Sequence, residues 1–374
     1  MVNLTEKNTA LSSLQRLEQR SRPPKQTGVW LWLKNNLFAT PAHGLATILV
    51  LWFLLFSIPA VVEWGLLQAN FTANSGQECH ASAGACWSFV HHKYRMILFG
   101  IYPFDKQWRP FLVCILLIAL IILSAIPRFW KKSLVGIWLI VLAICGVLMH
   151  GGILGLTEIE TARWGGLPVT LILAIFGILF ATPLGILLAL GRRSDMPIIR
   201  SLSITYIELV RGVPFVSLLF MASVMVPLFF ADGFSLDKLL RAQIAVIVYV
   251  SAYIAEVVRG GLQSIPKGQF EGAASLGLSY WQSMRLIILP QALKVVIPPL
   301  VSIFISIFKD TSLVVIIGIY DLTLSAKVAL ADPLWQGFSV EAYIFLAFIY
   351  FIFCYAMSRY SRYIEQRLDL ARQH

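Results

Sequence analysis

Apolar positions in this chain gather into long blocks and do not alternate. Eight blocks stand out: 44–67, 110–126, 134–156, 166–190, 206–230, 240–258, one that begins at 292, and 341–357. Blocks of roughly 17–25 apolar residues match a helix crossing a hydrocarbon core. Polar residues fall between the blocks and alternate in kind. Lys7, Arg16, Arg20, Arg22, Lys25 and Lys34 precede the first block, and Arg128, Lys131 and Lys132 follow the second. Arg192, Arg193 and Arg200 follow the fourth, Arg259 follows the sixth, and Arg359, Arg362 and Arg367 follow the eighth. The other gaps are acidic or mixed: a loop at 68–109, then Glu158, Glu160 and Arg163, then Asp232 and Asp237. Basic residues collect on the cytoplasmic side. The pattern therefore predicts eight spans with both termini cytoplasmic.

Composition agrees. The 374 residues are 58% apolar and 13% charged, about half the charged share of a soluble domain. The net charge of +11 is accounted for by the basic turns, and no basic–aromatic module suggests nucleic acid. The fold class is all-α, a polytopic membrane helix bundle. Leu11, Leu14 and Leu17 recur at helical spacing beside Arg16 and Arg20, so the N-terminal tail is either a surface helix on the lipid membrane or a loose cytoplasmic segment. Its long charged region does not read as a cleavable signal.

The outer loop at 68–109 holds Cys79 and Cys86, which form a disulfide in an oxidising compartment or remain free thiols. His91 and His92 are adjacent and point apart on a helix, so no metal site is expected there. Cys114, Cys145 and Cys354 lie in apolar blocks and read as small core residues.

Three polar groups interrupt the apolar pattern. Tyr206, Glu208, Arg211, Gly212 and Pro214 open the fifth block, and Tyr253, Glu256 and Arg259 close the sixth. In each, acid and base lie three apart and can pair on one helix face, either as a simple ion pair or as a gate or subunit contact. The third group is Lys309, Asp310, Thr311 and Ser312, late in a seventh block that Pro298 and Pro299 interrupt. Either the helix breaks there and lines a cavity, or it ends early and the polar group lies at the outer interface. The sequence has no nucleotide-binding GxxxxGK[ST], no HExxH and no GxSxG, so no catalytic residues are assigned.

The segment 268–290, GQFEGAASLGLSYWQSMRLIILP, is different again. It is moderately polar, falls on the cytoplasmic side, and predicts two short helices meeting at Gly277, the second starting at Ser279 and stopping at Pro290. Glu271, Gly277, Ile287, Leu289 and Pro290 match the EAA loop of ABC importer membrane subunits: EAA, three residues, Gly, nine residues, I-x-L-P. Gly272 stands where that family usually has Ala. The flanking TYIELVRGVP, SAYIAEVVRGG, LPQALKVVIPPL and FKDTSL resemble the polar amino-acid permeases of the histidine, glutamine and arginine group. The preceding CWSFVHHKYRMILFGIYPFDKQWRP is similar to the longer permease of general L-amino-acid transporters.

The resemblance implies a non-catalytic permease in the cell inner membrane. It implies a tail at 1–43, a module of three helices at 44–156, and a five-helix type I importer core at 157–374 with its coupling loop at about 260–291. Glu271, Gly272, Ala273, Ala274, Gly277, Leu278, Ile287, Leu289 and Pro290 would contact ATPase subunits. Tyr253, Glu256, Asp310, Thr311 and Ser312 are the candidate substrate path, and Glu208, Arg211, Gly212, Pro214 and Arg259 a candidate gate or interface. Expected partners are a second permease, two ATP-binding subunits and a periplasmic amino-acid-binding protein. No cofactor is expected on this chain, with ATP and Mg on the partner ATPases. The competing reading is a secondary transporter or channel that works without them.

Overall fold

The computed structural model describes residues 28–229 and 236–370. Residues 1–27 of the N-terminal tail, with Leu11, Leu14 and Leu17, and Asp232 lie outside them. The described residues are helical, with two isolated β-bridges and no strand. The chain forms two compact units, one of residues up to 69 with 82–85, the other of 70–81 with 86–374.

The first unit carries α1 (Val29–Leu37) and α2 (Pro41–Val62), which extends through a π turn to Leu67. Thr40 caps α2 through its side chain, and Pro41 occupies the first turn, where its missing N–H costs nothing. In the most apolar 18-residue window of Pro41–Leu67 no residue is buried within the chain.

The second unit begins with a small helical platform in the loop expected at 68–109. α3 (Gly76–His80) and α4 (Trp87–Phe99) pack there, with Cys79 of the first and Phe89 and Ile97 of the second entering one apolar cluster. Cys79 and Cys86 are joined by a disulfide. Of the two histidines, His92 lies against Trp335 and within 3.3 Å of the Ala73 carbonyl, and the described residues hold no cluster able to ligate a metal.

Five long helices follow: α5 (Trp108–Ala125), α6 (Ser133–His150), α7 (Leu167–Arg192), α8 (Pro197–Gly212) and, after α9 (Phe215–Phe220), α10 (Lys238–Gln263). The core is the seam between α7 and α10. Gly177, Ala181, Gly185 and Ala189 recur every four residues on α7, and all are buried. Such a stripe lets two membrane helices approach closely, where packing replaces the hydrophobic drive. A Cβ on Gly185 would come within 2.6 Å of Ile254 Cγ2 and 2.8 Å of the Ser251 carbonyl oxygen.

The fifth expected span, 206–230, is not one straight helix. α8 and the segment Phe215–Phe229 meet at 104°. Pro214 causes the bend: it has no N–H, and it holds the preceding Val213 in an extended conformation (φ −103°, ψ 133°). Among the described residues, seven helices are long and apolar enough to cross a membrane, or eight if the bent pair crosses once. Both ends lie on one side only in the second case.

The seventh span also corrects expectation. α13 (Leu289–Asp310) runs unbroken through Pro298 and Pro299 and tightens into a 3₁₀ turn at Thr311–Ile317. Neighbouring helices take the packing role that the lost backbone bonds would have had, as is common for proline in membrane helices. α14 (Leu322–Leu330) and α15 (Ser339–Leu370) complete the chain. Asp321 caps α14 by accepting from the Thr323 and Leu324 amides at 2.9 and 2.8 Å. It is fully buried, and burial pushes its carboxyl up to about 6. The Leu322 amide donates to Thr170 Oγ1 at 3.1 Å, and the Gly166 amide to the Tyr320 carbonyl at 2.9 Å, which ties α14 to the start of α7.

Candidate functional site

The hairpin at 268–290 is built from α11 (Lys267–Ser275) and α12 (Tyr280–Ser283). Gly277 turns the chain between them at φ +72°, a conformation that glycine adopts without a Cβ penalty. Ser279 and Gln282 then form a reciprocal capping box that starts α12. The second helix does not stop at Pro290. A π turn at Met284–Ile288 carries α12 directly into α13, so Tyr280–Ile317 is one element of 38 residues. Pro290 falls at the opening of α13, just past this turn, where the widened register removes the need for its absent N–H.

The residues expected to contact a partner divide into two groups. Glu271, Gly272, Ala274, Gly277 and Pro290 are exposed. Ala273 is buried, Leu278 is half-buried, and Ile287 and Leu289 pack on the main core. Ala273 therefore seats the hairpin on its own chain and is not available for an outside contact. Leu276 and Trp281, which sequence reasoning did not single out, are large, apolar and exposed at 75% and 65%. The hairpin is fixed at its base. Gln291 donates to Gln269 Oε1 at 3.0 Å, and the Arg193 guanidinium donates to the Leu262 carbonyl at 3.2 Å and lies over the Phe270 ring.

A charged cluster joins α7, α8 and α10. Glu256 accepts from Arg192 at 2.8 Å and from Arg259 at 2.9 Å, and lies 3.4 Å from Arg211. Arg192 also reaches Glu208 at 2.9 Å. The Glu256–Arg259 pair expected within one helix is present. Arg211, however, turns to Glu256, and Glu208 turns to Arg192. Arg192 had been read only as part of a basic turn, yet it bridges both acids. Gly212 has open space around it, and Pro214 makes the bend after α8.

Above this cluster a cavity of about 370 Å³ lies between α10 and α13. Tyr249, Tyr253, Ser302, Ser306 and Asp310 give it polar walls. Tyr249 donates to the Tyr253 hydroxyl at 3.3 Å, and the Arg211 guanidinium lies 5.7 Å from the Tyr253 ring. The structure thus brings Tyr253 and Asp310 to one cavity. Glu256 lies a turn away in the charged cluster. Thr311 is buried with its hydroxyl bonded to the Phe308 carbonyl at 2.7 Å, and neither it nor Ser312 lines the cavity. Ser302, Ser306 and Asp310 were findable: spacing of four places them on one face of a helix. Reading the prolines as a break in that helix hid the pattern.

The chain as a whole is similar to known proteins. An inner-membrane amino-acid ABC transporter permease of Escherichia coli strain K12, YhdY, is 49% identical over 363 residues, covering 94% of this chain and 98% of that protein. The glutamate/glutamine/aspartate/asparagine transport system permease BztC of Rhodobacter capsulatus is 37% identical over 428 residues, covering 96% and 98%. A solved amino acid ABC transporter with histidines gives a TM-score of 0.49 at 32% identity, over 54% of this chain and 92% of that one. The family model that matches residues 181–370 takes in the core from the α7 stripe through the hairpin, the cavity wall and α15. The chain is a multi-pass membrane protein that belongs to the family of binding-protein-dependent transport system inner membrane components.

Proposed function

We propose that this chain is the translocating permease subunit of an ATP-driven importer of L-amino acids. It pairs with a second permease of similar fold, and a periplasmic binding protein delivers substrate from outside. Two ATPase subunits dock on hairpins such as 268–290 and supply the energy. In this reading the hairpin and both termini are cytoplasmic, and the chain itself performs no catalysis.

The hairpin carries the reading. Its exposed face combines Glu271 with Leu276 and Trp281, while Ala273, Ile287 and Leu289 anchor it from beneath. Large apolar groups held out by an ordered, capped turn suit a protein contact. The cavity between α10 and α13 suits the transported molecule: hydroxyls from two tyrosines and two serines and the Asp310 carboxylate provide partners for an ammonium and a carboxylate.

The test is transport by the complete assembly in vesicles, with two permeases, ATPase and binding protein. Glu271→Arg and Trp281→Ala are each expected to lower ATPase recovery with the permease and substrate-stimulated hydrolysis by tenfold or more, on the order of one hot-spot contact. Undiminished hydrolysis and uptake in both variants would sink the docking role.

A further inference from the structure

A second cavity, of about 510 Å³, lies away from the polar path, between α5 and α6 on one side and α7, α13 and α15 on the other. Its walls are aliphatic and aromatic, with Ile121, Ile175, Phe308 and Phe353 among them. Only Ser124, Trp138 and Tyr360 bring polar atoms to it, and two of these satisfy each other: the Trp138 indole donates to Ser124 Oγ at 2.9 Å. Nothing within recognises a charged or hydrogen-bonding solute. Apolar cavities of this kind do not hold water well. The cavity follows α5 from Ile118 to Ala125 and α15 from Ile352 to Tyr360, roughly 10–12 Å of helix at 1.5 Å per residue. That approaches the depth of one leaflet, half of a hydrocarbon core about 30 Å thick.

Five cations follow two of the cavity's wall segments in the chain. The turn after α5 carries Arg128, Lys131 and Lys132, and α15 carries Arg359 and Arg362 beside Tyr360. All five are exposed, and none makes an ion pair among the described residues. The turn is folded onto the cavity end, because the Trp130 indole donates to the carbonyl of Ser124, a wall residue, at 2.8 Å.

We propose that this seam is a binding site for an anionic diacyl phospholipid. One acyl chain fills the cavity, and the phosphate headgroup lies among Arg128, Lys131, Lys132, Arg359 and Arg362. Hydrocarbon is the one ligand chemistry the walls accept, and unpaired cations following the wall segments select a negative headgroup. The lipid joins the pair α5 and α6 to the core helices where the protein leaves a gap in its own packing.

The test uses the full-length chain in phosphatidylcholine bilayer discs that contain phosphatidylglycerol with a diazirine in the acyl chain. Adducts are mapped by mass spectrometry after illumination. Adducts at 118–125 and 352–360 are expected to saturate with labelled phosphatidylglycerol. Unlabelled phosphatidylglycerol should compete better than added phosphatidylcholine by at least about fivefold, the effect of a single basic residue at an anionic surface. Filling the cavity with Ala174→Phe and Ala356→Phe should remove these adducts and leave those on lipid-facing residues such as Leu139 and Phe351 unchanged, which also reports a folded bundle. Arg128→Gln, Lys131→Gln and Lys132→Gln together, all at exposed sites, should abolish the headgroup preference while acyl adducts persist. Adducts that rise linearly with mole fraction, show no headgroup preference, or survive the cavity-filling pair overturn the proposal.

Discussion

Replacing Gly185 with alanine adds one methyl group at the tightest point of the α7–α10 seam. Built on the observed backbone, that carbon lies 2.6–2.8 Å from Ile254 Cγ2, Ile254 Cβ and the Ser251 carbonyl oxygen, where ordinary contact begins at 3.4 Å. The Ile254 side chain has room to rotate, but the Ser251 oxygen belongs to the α10 backbone. The helices must therefore part by about 0.6 Å along the contact, a strain of the kind that costs about 1–3 kcal/mol in a packed core. Alanine also favours the helix by about 1 kcal/mol, so the net loss is about 0–2 kcal/mol. Gly146, in α6, is the control: it is exposed, and a Cβ there meets nothing within 4 Å. Gly146→Ala gains the propensity without the clash. Thermal unfolding in detergent can be followed with a thiol-reactive fluorogenic dye, because Cys114 and Cys145 are buried until the bundle opens. At roughly 2 °C per kcal/mol for a chain of this size, Gly185→Ala should melt up to about 4 °C lower and Gly146→Ala up to about 2 °C higher. If both variants move in the same direction, the seam yields freely and close packing at Gly185 is not what holds α7 to α10.

Other outcomes follow from other contacts. Glu256→Gln leaves Arg211 and Arg259 around one uncharged amide, with Arg192 keeping only Glu208, and is expected to destabilise by about 2–4 kcal/mol, short of the full cost at a fully buried pair; an unchanged melting temperature would mean that water already screens the cluster. Cys79→Ser frees a loop whose closure contributes about 2.5 kcal/mol in the chain-entropy picture, so limited proteolysis should cut near residue 80 much faster, in the wild type only after reduction. Asp321 gives a pH signature. Its folded carboxyl titrates near 6 against an ordinary 3.8, so the folded state holds a proton that the unfolded state has released, and stability falls as pH rises from about 4 to about 6 and is flat above. Asp321→Asn keeps a capping side chain and should erase that slope in melting temperature across pH 4.5–7; an identical slope in both proteins would place its origin elsewhere.

Much of the bundle was legible because membrane spans depend on block hydrophobicity, a property a single sequence displays directly. The ends of α5, α6, α7 and α10 fall within a few residues of expectation, apart from the end of α6. The departures come from proline, and they have opposite signs. At Pro214 the chain bends by 104° where a straight span was expected, while Pro298 and Pro299, for which a broken helix and an early-ending one were both open, sit within a continuous helix. Proline states a local loss of one donor, and whether a helix survives depends on the neighbours that pack around it, which sequence order does not reveal. The same limit explains the site. Local spacing of three found Glu256 with Arg259, but the partners from α7 and α8 lie 64 and 45 residues away in sequence. Which alanine of the hairpin faces inward was equally hidden, because Ala273 and Ala274 differ only in what lies behind them.

The continuous helix gives the proposed coupling a mechanical basis that a broken one would lack. Tyr280 and Trp281, on the exposed hairpin, belong to the same 38-residue element as Ser302, Ser306 and Asp310 at the cavity. A rigid helix of 30 residues spans roughly 45 Å, so displacement of the hairpin reaches the cavity wall without passing through a flexible joint. Its local weaknesses are the lost backbone bonds at Pro298 and Pro299, which neighbouring helices pack around, and the π turn at Met284–Ile288 on the hairpin side, where Met284 and Ile288 are buried in the core. A force applied at Trp281 is thereby opposed at the core and turned into tilt of α13. As α13 tilts against α10, the distance from Tyr253 to Asp310 changes, and the Glu256 cluster one turn away is the charged contact that must adjust with it. Spin labels replacing exposed Ser275 on the hairpin and Ser306 in the cavity should therefore shift together when the assembled transporter binds nucleotide. Movement at the hairpin with a still cavity would show that the helix bends at its π turn and that energy reaches the path by another route.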